Sequence, residues 1–129
     1  MKHDFLIDNR KIIVVAQIKG INGYREFKFI LDTGASKSII DDSVAFRLGF
    51  DLKRLKTGDR LTTVGGGINS KIVKLPRLSL FGKDMVNFEV NLIKLPSQIM
   101  YFADGLLGMD FLLQFKSIRF DFEEKIIET

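Results

Sequence analysis

The chain has 129 residues, 20 Lys+Arg against 16 Asp+Glu, one His, and neither Cys nor Trp; that length suits one domain, residues 1–129, with one core. Without Cys there are no disulfides, thiolate nucleophiles or Cys-ligated zinc, and a lone His3 near an end expected to fray leaves no basis for a His-centred triad or a multi-His metal site. A 46% hydrophobic, 28% charged composition belongs to a folded domain, and a net charge of +4 with scattered basic residues does not point to nucleic acid, so any chemistry rests on carboxylates, hydroxyls, lysines and backbone groups.

Asp4 and Asp8 interrupt the start, which therefore lacks a signal-peptide apolar region. No window approaches the ~18–20 apolar residues of a membrane span. The expected setting is cytoplasmic, with no membrane partner.

In chain order, the β-branched run Ile12 to Ala16 predicts a strand. Asn22-Gly23 is a hairpin signal, followed by a strand from Tyr24 to Leu31 with Phe27, Phe29 and Leu31 on one face. The polar turn Asp32 to Ser36 ends it, and Ser38 to Ile40 resumes a short strand. Asp41 or Asp42 caps a short helix through Leu48, stopped by Gly49. Lys53, Arg54, Lys56 and Arg60 read as a solvated loop. Thr62 to Val64, Gly65 to Gly67 and Ile68 to Leu75 make a second hairpin with a mobile tip. A third joins Leu78–Phe81 to Met85–Ile93 and puts Val86, Phe88, Val90 and Leu92 on one face. Gly105 to Gly108 is a short apolar strand, and Met109 to Phe115 has helical spacing. Ile118, Phe120 and Phe122 alternate before a turn into Ile126-Ile127; this end forms either an intrachain hairpin or strands of a dimer sheet. Phe88, Phe111, Phe115, Phe120 and Phe122 are core or interface residues rather than base-stacking platforms. Many short strands with turns between them indicate an all-β barrel or sandwich with one or two short helices.

The most informative segment is Phe29-Ile30-Leu31-Asp32-Thr33-Gly34-Ala35-Ser36. An acid directly after three large apolar residues is costly without partners. Gly34 lets the backbone turn so that amide groups point at the carboxylate, and Thr33 adds a hydroxyl. The plainer reading is a strand ending in an Asp-initiated turn. Gly65-Gly66-Gly67 is not followed by Gly-Lys-Ser/Thr, so a phosphate loop is unsupported and a flexible hairpin tip is the simple reading.

Three segments in order, Ile30-Leu31-Asp32-Thr33-Gly34-Ala35, Val64-Gly65-Gly66-Gly67-Ile68, and Leu106-Leu107-Gly108 before Met109 to Phe115, resemble the retropepsin-type aspartic proteases over roughly residues 10 to 129. The resemblance implies a closed β-barrel of the acid-protease type, with Asp32 as catalytic acid/base. Thr33 would hold the neighbouring active-site loop, and Gly34 would supply an N–H to the carboxylate. Ala35, Ser36 and a flap of Val64, Gly65, Gly66, Gly67 and Ile68 would touch the substrate. Neither metal nor organic cofactor is implied. Ser36 stands where retroviral enzymes usually carry Asp, and Met109-Asp110 follows Gly108 where they commonly carry Arg, so an ion pair beneath the site is not expected.

Peptide hydrolysis by carboxylates alone needs two of them close together, and the chain has one Asp-Thr-Gly. A two-fold axis would set a second Asp32 against the first, one site per homodimer. Asp104 reads as a turn residue and Asp110 as a helix N-terminal acid, so neither repeats the motif. The expectation is a homodimeric aspartic endopeptidase acting on a peptide or protein substrate; the alternative is a catalytically weak or inactive module that uses the same fold to bind a peptide or protein.

Overall fold

The computed structural model describes residues 1–63 and 66–129. Eleven strands are formed among them: β1 (Lys2–Asp4), β2 (Leu6–Asp8), β3 (Lys11–Gly20), β4 (Gly23–Leu31), β5 (Ile39–Asp41), β6 (Lys56–Thr63), β7 (Gly66–Leu80), β8 (Lys83–Ile93), β9 (Gly105–Leu107), β10 (Arg119–Asp121) and β11 (Ile126–Glu128). Three short helices, α1 (Asp42–Arg47), α2 (Ser97–Met100) and α3 (Met109–Leu112), and a 3-10 turn at Leu52–Arg54 complete them.

The main sheet runs β2-β3-β4-β9-β5-β8-β7-β6, and an additional β3–β7 pairing bends it into a ring of hydrogen bonds. Ring closure is made at Gln17↔Ser79, Ile18↔Leu78 and Lys19↔Arg77. Inside lie Ile18, Phe27, Phe29, Ile40, Leu48, Leu75, Leu78, Leu107 and Phe111, all fully buried. The period of two expected for β4 holds, with Phe27, Phe29 and Leu31 in this core. Ile30 faces the other way, into a small cluster with Ile13 and Ala103. The last residues of β4 are thus covered on both faces, which holds the residue after them firmly.

Several expectations are corrected. The amino terminus does not fray. β1 pairs with β11 in register, His3 opposite Ile127, and the Met1 amino group donates to the Thr129 carbonyl (2.9 Å). β2 and β3 form a tight hairpin on Asn9 and Arg10, both with positive φ (46° and 62°). The carboxyl-terminal strands form the intrachain hairpin, because β10 pairs with β11 in a separate three-stranded sheet β1-β11-β10. The basic stretch is not all loop, since β6 starts at Lys56.

β7 runs as one strand through Pro76 instead of ending before it. Pro76 falls between the part of β7 paired with β6, up to Ile72, and the part paired with β3, from Arg77, where its missing N–H is least needed. Asn87 on β8 takes φ 54° nearby. The burial phase slips there: Leu75 and Leu78 are both buried, and Met85 is buried while Val86 is 60% exposed. Val86 therefore does not share the buried face of Val90 and Leu92. The helix at Met109 ends at Leu112, shorter than its spacing suggested, with Phe111 and Leu112 buried and Leu113 exposed.

Of the two acids that could cap α1, Asp41 does so. Its Oδ2 accepts from Ser43 N–H (3.0 Å) and Ser43 Oγ (2.6 Å), and its Oδ1 accepts from Leu95 N–H (2.8 Å). Burial pushes the Asp41 carboxyl up; the bonds from Ser43, Leu95 and Asp42 outweigh it and hold the group below its ordinary value of 3.8. Gly49, in the left-handed region at φ 90°, ends the helix as its residue type predicts.

Candidate active site

β4 ends at Leu31 beside Leu107 of β9, in parallel register. The next residue, Asp32, keeps its backbone in this ladder by donating its N–H to the Leu107 carbonyl (2.9 Å). The chain then turns sharply. Gly34 N–H donates to Asp32 Oδ1 (2.8 Å), and Ala35 N–H donates to the Asp32 carbonyl (3.2 Å). This is the amide-to-carboxylate contact that a glycine two residues on was expected to provide. Asp32 Oδ2 accepts no hydrogen bond among the described residues, and the side chain is partly exposed. Thr33, Gly34 and Ser36 are exposed and Ala35 is half-buried. The Thr33 hydroxyl has no partner among the described residues.

Beneath the turn, the segment after β9 is stitched to the loop following Asp32. Met109 N–H donates to the Ala35 carbonyl (2.7 Å) and Asp110 N–H to the Ser36 carbonyl (3.1 Å). The Asp110 carboxylate accepts from Ser38, Oδ2 from its N–H (2.9 Å) and Oδ1 from its hydroxyl (2.7 Å). Where an ion pair was not expected, a carboxylate–serine contact stands. Asp110 is in the first turn of α3, as its reading as a helix N-terminal acid required, and its Oδ1 also accepts from Phe111 N–H (2.8 Å).

Asp104 is more than a turn residue. Its Oδ2 accepts from Lys28 N–H (2.9 Å), its Oδ1 from Arg47 (3.2 Å), and its carbonyl from Asp41 N–H (3.0 Å). It therefore braces β4, β5 and α1 together. Lys28 is four residues before Asp32 on an extended strand, about 13 Å away. Asp104 and Asp110 are both committed to other partners.

A hollow beside Asp32 is lined by Arg10, Lys11, Ile12, Ile30, Ile99 and Leu106. Sequence patterning singled out none of these as site residues. Ile30 and Leu106 stand inside the segments that carried the resemblance, and Asn9-Arg10 ahead of an apolar run is a turn signal for the segment that brings Arg10, Lys11 and Ile12. Of the glycine-rich tip, Val64 and Gly65 lie outside the described residues. Gly66 pairs with Thr63 and Gly67 with Thr62 across the hairpin. Gly66 takes φ 114° in the left-handed region, and Ile68 is 36% exposed. Among the described residues no cluster of His, Cys, Asp or Glu could hold a metal ion, and no helix is long and apolar enough to cross a membrane.

A family model described as aspartyl protease matches residues 15–111, which includes both the Asp32 turn and the Gly108 segment. The chain belongs to the aspartyl protease family. Its fold is retropepsin-like. A retropepsin-like aspartic protease from Rickettsia conorii superposes with a TM-score of 0.74 at 25% identity, covering 98% of this chain and 88% of that one. EIAV protease complexed with the inhibitor HBY-793 superposes with a TM-score of 0.64 over 82% of this chain and 88% of that one; at 20% identity this likeness is one of fold. A search of curated proteins returned no match. Membership of this family suggests a peptide hydrolase.

Proposed function

We propose that the chain is an aspartic endopeptidase whose active site forms when two copies bring their Asp32 side chains together across a two-fold axis. The observation that carries this reading is the state of the Asp32 turn: a carboxylate fixed through one oxygen by Gly34 N–H, beside an exposed Thr33, with neither the other oxygen nor the Thr33 hydroxyl partnered among the described residues. Asp104 and Asp110 are occupied elsewhere. A second copy related by a two-fold axis would supply an equivalent acid.

In that assembly two close carboxylates share one proton, because ionising both is costly. The ionised member takes a proton from water, whose oxygen adds to the peptide carbonyl carbon, while the protonated member donates to the carbonyl oxygen. Collapse of the tetrahedral intermediate breaks the C–N bond, and the proton passes to the leaving amine. The Thr33 hydroxyls hold the two loops to each other. Ala35 and Ser36 line the cleft with the hollow whose apolar wall is Ile12, Ile30, Ile99 and Leu106 and whose rim carries Arg10 and Lys11, which accepts a side chain of an extended peptide. Residues 64–68 cover the bound peptide as a flap and exclude solvent.

The test is digestion of a peptide library by wild type and Asp32→Asn, run at several protein concentrations beside sedimentation. The expected result is cleavage by wild type alone, with a rate per chain that falls when dilution dissociates the dimer. Equal cleavage by both proteins rejects Asp32 as the catalytic acid. A strictly monomeric protein that binds peptides without cutting them supports the binding-module alternative.

A further inference from the structure

Asp110 and Ser38 are 72 residues apart in the chain and meet beneath the Asp32 turn. Ser38 is completely buried. Its hydroxyl donates to Asp110 Oδ1 (2.7 Å) and accepts from Gly108 N–H (3.1 Å), so its single proton is committed. Its carbonyl accepts from Asn91 N–H (3.0 Å), tying the same residue to β8. The Asp110 carboxylate receives three donors: Ser38 Oγ and Phe111 N–H at Oδ1, and Ser38 N–H at Oδ2.

Every contact to that carboxylate is an incoming donor. An Asn in its place turns an NH₂ toward a backbone N–H in either amide orientation. Oriented one way it faces Ser38 N–H; flipped, it faces Phe111 N–H, which then keeps only its bond to the Gly108 carbonyl (3.1 Å), and it takes from the Ser38 hydroxyl the acceptor of its proton. The arrangement therefore asks for a carboxylate, not for a side chain of that size. The carboxylate's bond from Phe111 N–H serves the first turn of α3, whereas its two bonds from Ser38 reach outside that helix. What the contact does fix is the path from Ala35 to Ser38, which leaves the Asp32 turn, together with the Gly108 segment on which that turn rests.

We propose that Asp110, acting through Ser38, is a positioning residue that holds the Asp32 loop in the geometry required for cleavage. The proposal rests on the endopeptidase reading. Its signature separates positioning from mere support of the fold. A misplacement of about an ångström at a reacting group costs up to roughly 100-fold in rate. Loss of fold support instead lowers the number of competent molecules and leaves each survivor unchanged.

The experiment compares wild type, Asp110→Asn and Ser38→Ala, with active sites counted by titration with a tight-binding peptide inhibitor. The expected result is a kcat per titrated site reduced roughly 10- to 100-fold in both variants, with KM within about twofold. A kcat per titrated site equal to wild type overturns the proposal, however few sites survive. Amide hydrogen exchange gives a second readout that needs no turnover. Asp32, Gly108 and Met109 amides are expected to lose protection at least about tenfold in Asp110→Asn, while amides of the β7–β8 ladder keep theirs. Unchanged protection at those three amides also overturns the proposal. Should wild type fail to cleave any peptide, the endopeptidase reading falls on that result, and the exchange measurement decides separately whether Asp110 holds the loop.

Discussion

A Cβ built on Gly108 would stand 2.5 Å from the carbonyl oxygen of Ala35. No real side chain tolerates that approach to backbone. The close contact lets Met109 N–H reach the Ala35 carbonyl and Gly108 N–H reach Ser38 Oγ. The loop after Asp32 thus sits on a floor made of glycine backbone.

Gly108→Ala should therefore push the loop off that floor. The expected cost is about 1–3 kcal/mol, typical of overpacking where the neighbour is backbone and cannot swing aside. Urea unfolding measures it. Cleavage should fall further than the loss of folded protein accounts for, because the displaced segment leads directly from Asp32.

Asp41 predicts a pH dependence of stability. Its folded carboxyl titrates below the ordinary 3.8. Stability from a lowered carboxyl is fully present above the unfolded value and is lost as pH falls through the folded one. Asp41→Asn should destabilise most near neutral pH, and the gap to wild type should close below about pH 4. Unfolding in urea at a series of pH values checks this; a gap that widens in acid would contradict the assignment.

Asp104→Asn separates bracing from chemistry. The Arg47 ion pair is partly exposed and contributes little. An amide oxygen can still accept from Lys28 N–H. The expected loss is about 1 kcal/mol or less, with cleavage per folded chain unchanged. Abolished cleavage in a stable Asp104→Asn protein would make Asp104 the second acid and remove the need for a dimer.

The rate should follow a bell-shaped pH profile with its maximum on the acid side, since one carboxylate must be ionised while the other carries the proton. Cleavage of a fixed peptide from pH 3 to 8 tests it, with stability followed alongside so that unfolding is not mistaken for titration. A rate independent of pH over that range would sink the shared-proton mechanism.

Much of the architecture was legible from short-range pattern. The alternation of Phe27, Phe29 and Leu31 placed β4, and Asn22-Gly23 placed the turn before it. Asp41 or Asp42 at one end and Gly49 at the other bracketed α1, and the structure chose Asp41 as the cap. What went astray lay where a distant strand overruled local preference. Ile68 to Leu75 and Leu78 to Phe81 read as two separate strands, yet β7 runs through both because its neighbour changes from β6 to β3 between them. Val86 read as buried, yet the slip around Asn87 turns it outward. The first residues read as a loose end, yet β11 was waiting for them from the far terminus.

Residue order alone showed the Asp32-Thr33-Gly34 turn and the contact from Gly34 N–H to the Asp32 carboxylate, because an acid and a glycine two positions on meet within one turn. It determined most strands for the same reason: apolar alternation and turn residues act between near neighbours in the chain. Only the tertiary structure decided that Asp110 meets Ser38, that Asp104 is spent on Lys28 and Arg47, and that β3 closes the ring on β7. Those contacts join residues dozens of positions apart, and which of many acids meets which donor depends on the path of the whole backbone, a property that no local pattern encodes.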